Sequence, residues 1–445
     1  MRILEPSRTF SQKGEVLSAI KNKESQSQQA AGYSLSLKLR KTQQAAEYGL
    51  SLSNQKLKIL EVTTYTAGGC GVAARVKQEA SLLAKRGHTI MIFSTDQVKG
   101  THEKAPRQEK IEEITICRFP CFKLGGESFT YWDFTQAAHE FKPDVIIVHA
   151  YRHTHTTRAL RIAKQRKIPC LLVTHAPFST GGESRSLLAK LSVAFYDAFI
   201  GPSTLKKFTR IIAITHWERA TLKVLGVPEK NIVYIPNGIP SLFFTQKKAK
   251  EEKNKILYFG RVSPIKDLET LIEAFSLLPP NIQNSLTLEI AGPAEALYLS
   301  KLKSLASSLN ISKKIIFSPA IYNTKKKISK LDSATIYVLP SIREGMPQTL
   351  IEALARGKIV VASNNLGNSA IIQDDKNGFL FSVGDTKALA SLISFLLTLS
   401  PAEKARIQKA ARSSVKKFAW PHLIEQLDSL LKETVQTSRS YRKSL

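Results

Sequence analysis

LPSIREGMPQTLIEALARGKIVVAS, residues 339–363, reads as a strand end, a loop, a helix and another strand. Pro347 suits the first turn of that helix, where its missing N–H leaves no hydrogen bond unmade. Glu344 then falls in the loop just before the helix, and Glu352 about one and a half turns inside it. Were one helix to include both, eight residues would separate them by about 12 Å along the axis and roughly 80° around it. Carboxylates so placed cannot form a close acid/base pair. They belong to separate subsites, and the helix N-terminus between them, with free N–H groups and a favourable dipole, suits an anion such as pyrophosphate.

The same alternation continues on both sides. KILYFG, LTLEIAG, KIIFSPA, ATIYVLP and KIVVAS are the candidate strands of the later half, and LKILEVT, TIMIFST, DVIIVHA, CLLVTH and RIIAIT those of the earlier half. Between them lie helical stretches such as residues 73–86, where Ala73, Val76, Ala80 and Leu83 repeat at three and four residues to make one apolar face. Short β-branched runs alternating with amphipathic helices predict parallel sheets flanked by helices. VYIPNGI, residues 233–239, runs into a Pro-Asn-Gly turn followed by a Lys-rich stretch over 246–255, which marks a domain boundary. One α/β layout is thus repeated, and the carboxyl ends of both sheets, where ligands bind in open α/β sheets, face a shared interdomain cleft.

The expected organisation is an extension over 1–55, a first Rossmann-like domain over 56–240, a second over 241–420, and a C-terminal segment over 421–445. That last segment should hold a helix from about His422 to Lys432, packing back across the domains, and a basic tail. The extension is rich in Ser, Gln and Lys and contains QQAAGYSLSL (28–37) and QQAAEYGLSL (43–52). Two copies are too few for a solenoid, so a flexible or weakly helical segment without chemistry is expected.

A chain of 445 residues with 43% hydrophobic and 23% charged residues has the material for two cores. Its apolar runs are broken by charge, as Lys190 and Asp197 break 187–200, so none reaches membrane-spanning length. The first twenty residues lack the continuous apolar core of a secretory signal. Cysteines at 70, 117, 121 and 170 are too few and scattered for a disulfide framework. These features together predict a cytoplasmic protein with free thiols. The net charge of +29 attracts polyanions. It is spread along the chain without an RNA-binding or zinc-finger signature, so no nucleic-acid partner is expected. General basicity of the source organism's proteins and a specific anionic partner both remain open as its cause.

The block SIREGMPQTLIEALARGKIVVAS resembles the E-x7-E region of glycosyltransferase family 4, retaining enzymes of GT-B architecture. Further matches fall in the same order along the chain: Gly68-Gly69 after the first strand, His175 in VTHAPF, Pro236-Asn237-Gly238-Ile239 at the domain junction, and FGRVSPIKDLETLIEAF with Arg261 and Lys266. The resemblance runs from about Leu57 to Leu431. It implies a fold of two Rossmann-like domains with parallel sheets facing the cleft, and transfer of a hexose from a nucleotide-diphosphate sugar to a lipid-linked or glycan acceptor, with neither metal nor cofactor.

Carried onto this chain, the resemblance makes Arg261 and Lys266 the cations that neutralise the donor diphosphate as it leaves, where fixed positive charge stabilises what builds up. Glu344 would bind the transferred sugar and Glu352 the ribose hydroxyls. Gly345, Met346, Thr349 and Leu350 would complete the donor site, and Gly68 and Gly69 would let the first-domain loop approach the diphosphate. His175 would lie near the reacting carbon, with His149 a weaker candidate for the same cleft.

Rival readings are a sugar-nucleotide epimerase or phosphorylase on the same fold, or a non-catalytic binder of anionic glycans or nucleic acid. His149, His153 and His155 are close in sequence, but no neighbouring Cys or carboxylate completes a tetrahedral metal set. Cys117 and Cys121 read as packing residues. Residues 187–210 mix apolar positions with Lys190, Lys206, Lys207 and Arg210, a pattern that fits either a core-facing helix or adsorption to an anionic membrane surface, peripherally at the inner face of the cell membrane. Donor base, sugar and acceptor are set by loops such as 176–185 and 120–131.

Overall fold

The computed structural model describes residues 55–124, 127–178, 187–249, 251–252 and 254–444. The N-terminal extension with its repeat, and most of the 176–185 loop, lie outside these.

Each quoted candidate segment contains a strand. In chain order the first half has β1 (Lys58–Val62), β2 (Ala67–Gly68), β3 (Thr89–Thr95), β4 (Val98–Lys99), β5 (Gln108–Ile111), β6 (Ile114–Phe119), β7 (Cys121–Lys123), β8 (Thr130–Trp132), β9 (Val145–His149), β10 (Cys170–Val173), β11 (Arg210–Ala213) and β12 (Ile232–Tyr234). The second has β13 (Lys255–Phe259), β14 (Thr287–Ala291), β15 (Ile315–Ser318), β16 (Ile336–Leu339), β17 (Ile359–Ser363) and β18 (Phe379–Phe381).

The first sheet runs β12-β11-β10-β9-β1-β3-β6-β5 and the second β15-β14-β13-β16-β17-β18. All pairings are parallel except β5 with β6. That antiparallel edge hairpin was not anticipated: it turns tightly at Glu112, whose φ is 50°, so no crossover helix separates its strands. The expected 120–131 loop also contains a ribbon, β7 with β8.

Strand order reverses between β1 and β9 in the first sheet and between β13 and β16 in the second. At such a reversal the connections leave to opposite faces and open a crevice at the carboxyl ends of the strands. The segments after β1, β13 and β16 carry Gly68-Gly69 at the end of β2, Arg261 to Lys266, and Glu344, so topology alone brings these separated motifs to the cleft.

Helix α1 (Gly71–Lys85) lies over the first sheet and buries Ala73, Val76, Ala80 and Leu83, the face read from the sequence. It also buries Arg75 and Glu79 completely. Among the later helices, α2 (Leu187–Phe195), α3 (Gln348–Ala355) and α4 (Trp420–Lys443) bear on function.

The chain crosses between the two halves twice, and the crossings pair: Ile239 N–H donates to Phe418 O at 2.9 Å, and Trp420 N–H to Ile239 O at 3.1 Å. Helix α4 then returns to the first half. Its Trp420 indole donates to Gln78, its Asp428 meets Arg86 and His88, and its Arg439 pairs with Asp144. The helix is longer than the expected 422–432 because its apolar stripe continues, with Val435 only 1% exposed. On the other side of the junction, buried Arg356 holds Asp332 through two 2.8 Å bonds and donates to the carbonyls of Phe243 and Gln246.

Candidate active site

A cavity of about 670 Å³ opens between the halves. Gly68, Gly69, Arg261, Lys266, Glu344, Met346 and Thr349 of the expected site line it. Two helix N-termini converge there. Helix α1 contributes Cys70, Gly71, Ala73 and Ala74, and α3 contributes Pro347, Gln348 and Thr349. Neither helix has a side-chain cap, so backbone N–H groups and both positive dipole ends are left to a ligand. Arg261, Lys266, Lys77 and Lys327 add cationic side chains. Burial holds the Lys77 ammonium below its ordinary range.

Helix α3 starts at Gln348, one residue later than expected, and Pro347 is its cap in an extended conformation. Asn237 of the Pro-Asn-Gly turn holds the preceding residue: its side-chain amide donates to Met346 O at 3.1 Å and its backbone N–H to Met346 Sδ at 3.2 Å. The junction turn and the Glu344 loop are thereby one assembly. Gly69 is forced by close approach, since a Cβ there would sit 2.8 Å from Pro293 of the opposite half. Gly68 has φ +85° and lies against the Lys99 backbone, a place where any side chain is strained.

The two carboxylates of the E-x7-E block go to separate cations. Glu344 pairs with Lys266, and both side chains are largely shielded. Glu352 is 4% exposed, behind the cavity wall, and accepts from Lys327 Nζ at 2.9 and 3.1 Å. Burial raises the Glu352 carboxyl above its usual range, against the opposing charge of Lys327. Arg261 is more exposed and faces Glu295 at 3.5 Å. Leu350 is fully buried in the core, so its expected donor contact is not made by its side chain. Gly345 packs on the first half instead, where a Cβ would meet that of Ala176 at 2.7 Å.

His175 follows β10 and lies outside the cavity lining, half-buried beside Gly345. It and Ala176 have φ of 59° and 53°. Two consecutive left-handed residues that are not glycine store strain, which the surroundings must hold. Glu218 does so: its carboxylate accepts from Ala176 N–H at 2.9 Å, Ile214 N–H at 2.8 Å and Thr215 N–H at 3.0 Å. Burial, with the charges of His149 and Arg75, keeps the His175 imidazole well below its ordinary pKa and hence neutral.

His149, fully buried, touches His175 with Nδ1 to Nε2 at 3.0 Å. The carboxylates beside it come from distant sequence: Glu61 Oε2 at 2.6 Å and Glu79 Oε1 at 3.2 Å. Sequence proximity misplaces the histidine cluster, since the ring nitrogens of His153 and His155 bond Thr64 and the His149 carbonyl. Glu61, Glu79 and His149 do bring ligand-type atoms within 4.8 Å of one another, but Arg75 already shares Glu79 at 3.0 Å.

Lys327, Lys77, Gln78 and Tyr322 were not expected at the cavity. The only signal for Lys327 is its place in the first turn of a helix beginning NTKKK, where three lysines are alike in sequence and only the fold selects one.

Helix α2 departs from a core-facing reading. Leu191, Phe195, Phe199 and Ile200, on it and the π-turn after it, are exposed, with Phe199 at 71%. Among the described residues no helix is long and apolar enough to cross a membrane.

Residues 69–241 match the family described as Glycosyltransferase Family 4, and residues 242–414 the family described as Glycosyl transferases group 1. The alpha-monoglucosyldiacylglycerol synthase of Streptococcus pneumoniae is 26% identical over 80% of this chain and 82% of its own length. An uncharacterized glycosyltransferase of Methanocaldococcus jannaschii is 24% identical over 72% and 85%. Among solved structures, sucrose-phosphate synthase of Thermosynechococcus elongatus superposes with TM-score 0.68 at 19% identity over 86% of this chain and all of that one. Anabaena HepE in complex with UDP and glucose superposes with TM-score 0.64 at 18% identity over 85% and all of that chain. The two facing α/β domains and their cleft are those of a GT-B glycosyltransferase. The chain belongs to glycosyltransferase family 4.

Proposed function

We propose that this glycosyltransferase is a retaining, metal-independent hexosyltransferase that takes its sugar from a nucleoside diphosphate donor and delivers it to a lipid-linked or glycan acceptor. The observation that carries this reading is the convergence of two uncapped helix N-termini with Arg261, Lys266 and Lys327 on one cavity, an arrangement suited to a diphosphate. The relatives named for UDP complexes support the donor class.

In this reading the diphosphate lies between the ends of α1 and α3. Glu344, oriented by Lys266, accepts hydrogen bonds from the sugar, and Glu352 with Lys327 marks the ribose end. The bond from the anomeric carbon to the diphosphate oxygen breaks, and its electron pair stays on that oxygen. The acceptor hydroxyl attacks from the same face, and its proton passes to the departing phosphate oxygen. Arg261 and Lys266 stabilise the charge that develops. Neutral His175 contributes a hydrogen-bond donor or its backbone carbonyl near the reacting carbon.

The exposed apolar residues of α2 and its π-turn favour a lipid-borne acceptor reached at an anionic membrane surface, on the cytoplasmic side. Relatives named as a diacylglycerol-sugar synthase and as a transferase to a diphosphoundecaprenol-linked sugar support that class. A screen of UDP-, GDP- and ADP-sugars by thermal shift and donor hydrolysis tests the donor; no response to any of them refutes it. Product NMR showing an inverted anomeric linkage refutes retention.

A further inference from the structure

Behind His175 lies a group of charged side chains that the transfer reaction does not itself touch. Glu61 on β1 and His149 on β9 share one face of the sheet, because Glu61 pairs with Ile147 and His149 is two residues on. Helix α1 covers that face and lowers Arg75 and Glu79 onto it, four residues apart. All four side chains are buried. His149 Nε2 meets Glu61 and Glu79, Nδ1 meets His175 Nε2, and Arg75 continues to the junction turn at Ile235 O and Asn237 Oδ1, both 3.1 Å.

We infer that His149 is a positioning residue: held as a doubly protonated imidazolium between Glu61 and His175, it donates from Nδ1 to His175 Nε2 and so fixes His175 as the Nδ1–H tautomer. Two carboxylates and two cations then balance in the interior, which a buried cluster requires. Burial works against the His149 charge, but hydrogen bonds and attraction from Glu61 and Glu79 prevail and push it up to about 9. Burial and the Glu79 charge raise Glu61 to about 7. Against its own burial, Glu79 is lowered by Arg75 and His149. His155 and His153, the other titratable groups near this face, are held neutral chiefly by burial. With Nε2 committed as acceptor, the one proton left to the His175 ring is on Nδ1, available to a hydroxyl of the transferred sugar. The inference rests on the reading of His175 as part of the transfer site.

The test uses the full chain with 15N-labelled histidine, the His175 signals being assigned by their loss in His175→Gln. At pH 7.5 His175 should show protonated Nδ1 and bare Nε2, and His149 two protonated nitrogens that persist until pH approaches 9. In turnover, His149→Leu should lower kcat by at least about tenfold, the cost of an unfixed tautomer, with donor KM little changed. Wild-type kcat should fall along an alkaline limb near pH 9, where His149 loses its charge; His149→Asn, which keeps a donor at the Nδ1 position without the charge, should recover most of the His149→Leu loss and abolish that limb. Glu61→Gln, a milder change should His149→Leu fail to fold, should move that limb to lower pH. A His175 protonated at Nε2, or a neutral His149 at pH 7.5, overturns the inference whatever turnover does. Undiminished turnover in His175→Ala with the expected tautomers overturns instead the underlying reading of the site, and the positioning role with it.

Discussion

Glu344 and Lys266 stand where the chemistry of the cleft is most concentrated, since each shields the other and both line the cavity. Replacing either with Ala should cut sugar transfer by about a hundredfold or more, the scale of losing one preorganised electrostatic contact. Far-UV circular dichroism and the melting curve should stay close to wild type, because neither side chain is part of the core. Near-normal transfer in either variant would show that the reacting centre lies elsewhere. A second residue-scale prediction concerns pH. The folded-state pKa of His149 is raised to about 9 from 6.5. Its contribution to stability is therefore fully present below pH 6.5 and is lost as pH rises through 9. Between pH 7 and 10 the wild-type Tm should fall more than that of His149→Asn, and parallel curves would contradict the raised value.

At the scale of elements, the strained turn after β10 persists because Glu218 accepts three backbone N–H groups around it. Glu218→Ala leaves those donors buried without partners and should cost on the order of 3 kcal/mol in urea unfolding. It should also depress turnover by releasing His175. A loss below about 0.5 kcal/mol, the scale of an ordinary surface change, would mean the turn needs no such support. Helix α2 and its π-turn present Phe195 and Phe199 as an exposed ring pair with centroids 4.9 Å apart. If this is a membrane-contacting element, co-sedimentation with anionic vesicles at low salt should drop several-fold in Phe195→Ser/Phe199→Ser, while hydrolysis of a soluble donor is unchanged. Equal sedimentation of both proteins would remove the membrane role from this helix. In the sequence, this segment fits a core-facing helix or a membrane surface, since an apolar face has the same periodicity whether it meets a core or a bilayer.

For the molecule as a whole, the decisive feature is the pair of crossings at Ile239 and Ala419, sealed by Trp420. The indole is 2% exposed, lies 6.0 Å from the Arg75 guanidinium, and leaves no room beside Gly238, where a Cβ would come within 2.4 Å of the ring. Trp420→Ala should destabilise the protein by about 3–5 kcal/mol, the cost of deleting a large buried aromatic. Gly238→Ala should also lower Tm, because the ring has to shift. Restoration of much of that loss in the double variant Gly238→Ala/Trp420→Phe would attribute it to the ring contact, and additive losses would not. Since Arg75 also reaches Asn237, the seal and the interior charges under His175 share one side chain.

The doubled α/β layout, most strands of the two sheets though not β5, β6 or β18, the inner face of α1 and the separation of Glu344 from Glu352 could be read from the sequence. Each depends on local periodicity or on spacing within one segment, which the chain carries wherever it is placed. Tertiary structure alone decided which lysine of the NTKKK run meets Glu352, that Leu350 turns into the core, that α2 shows its apolar side to solvent, and that the His149 ring answers to Glu61 and Glu79. Apart from the exposure of α2, these are pairings between segments tens of residues apart, chosen by strand order and by the way helices lie on the sheets. Their partners are ordinary Lys, Glu and Leu residues whose identity says nothing of what they will face. Burial then turns those meetings into chemistry, by making an unpaired charge too costly to keep.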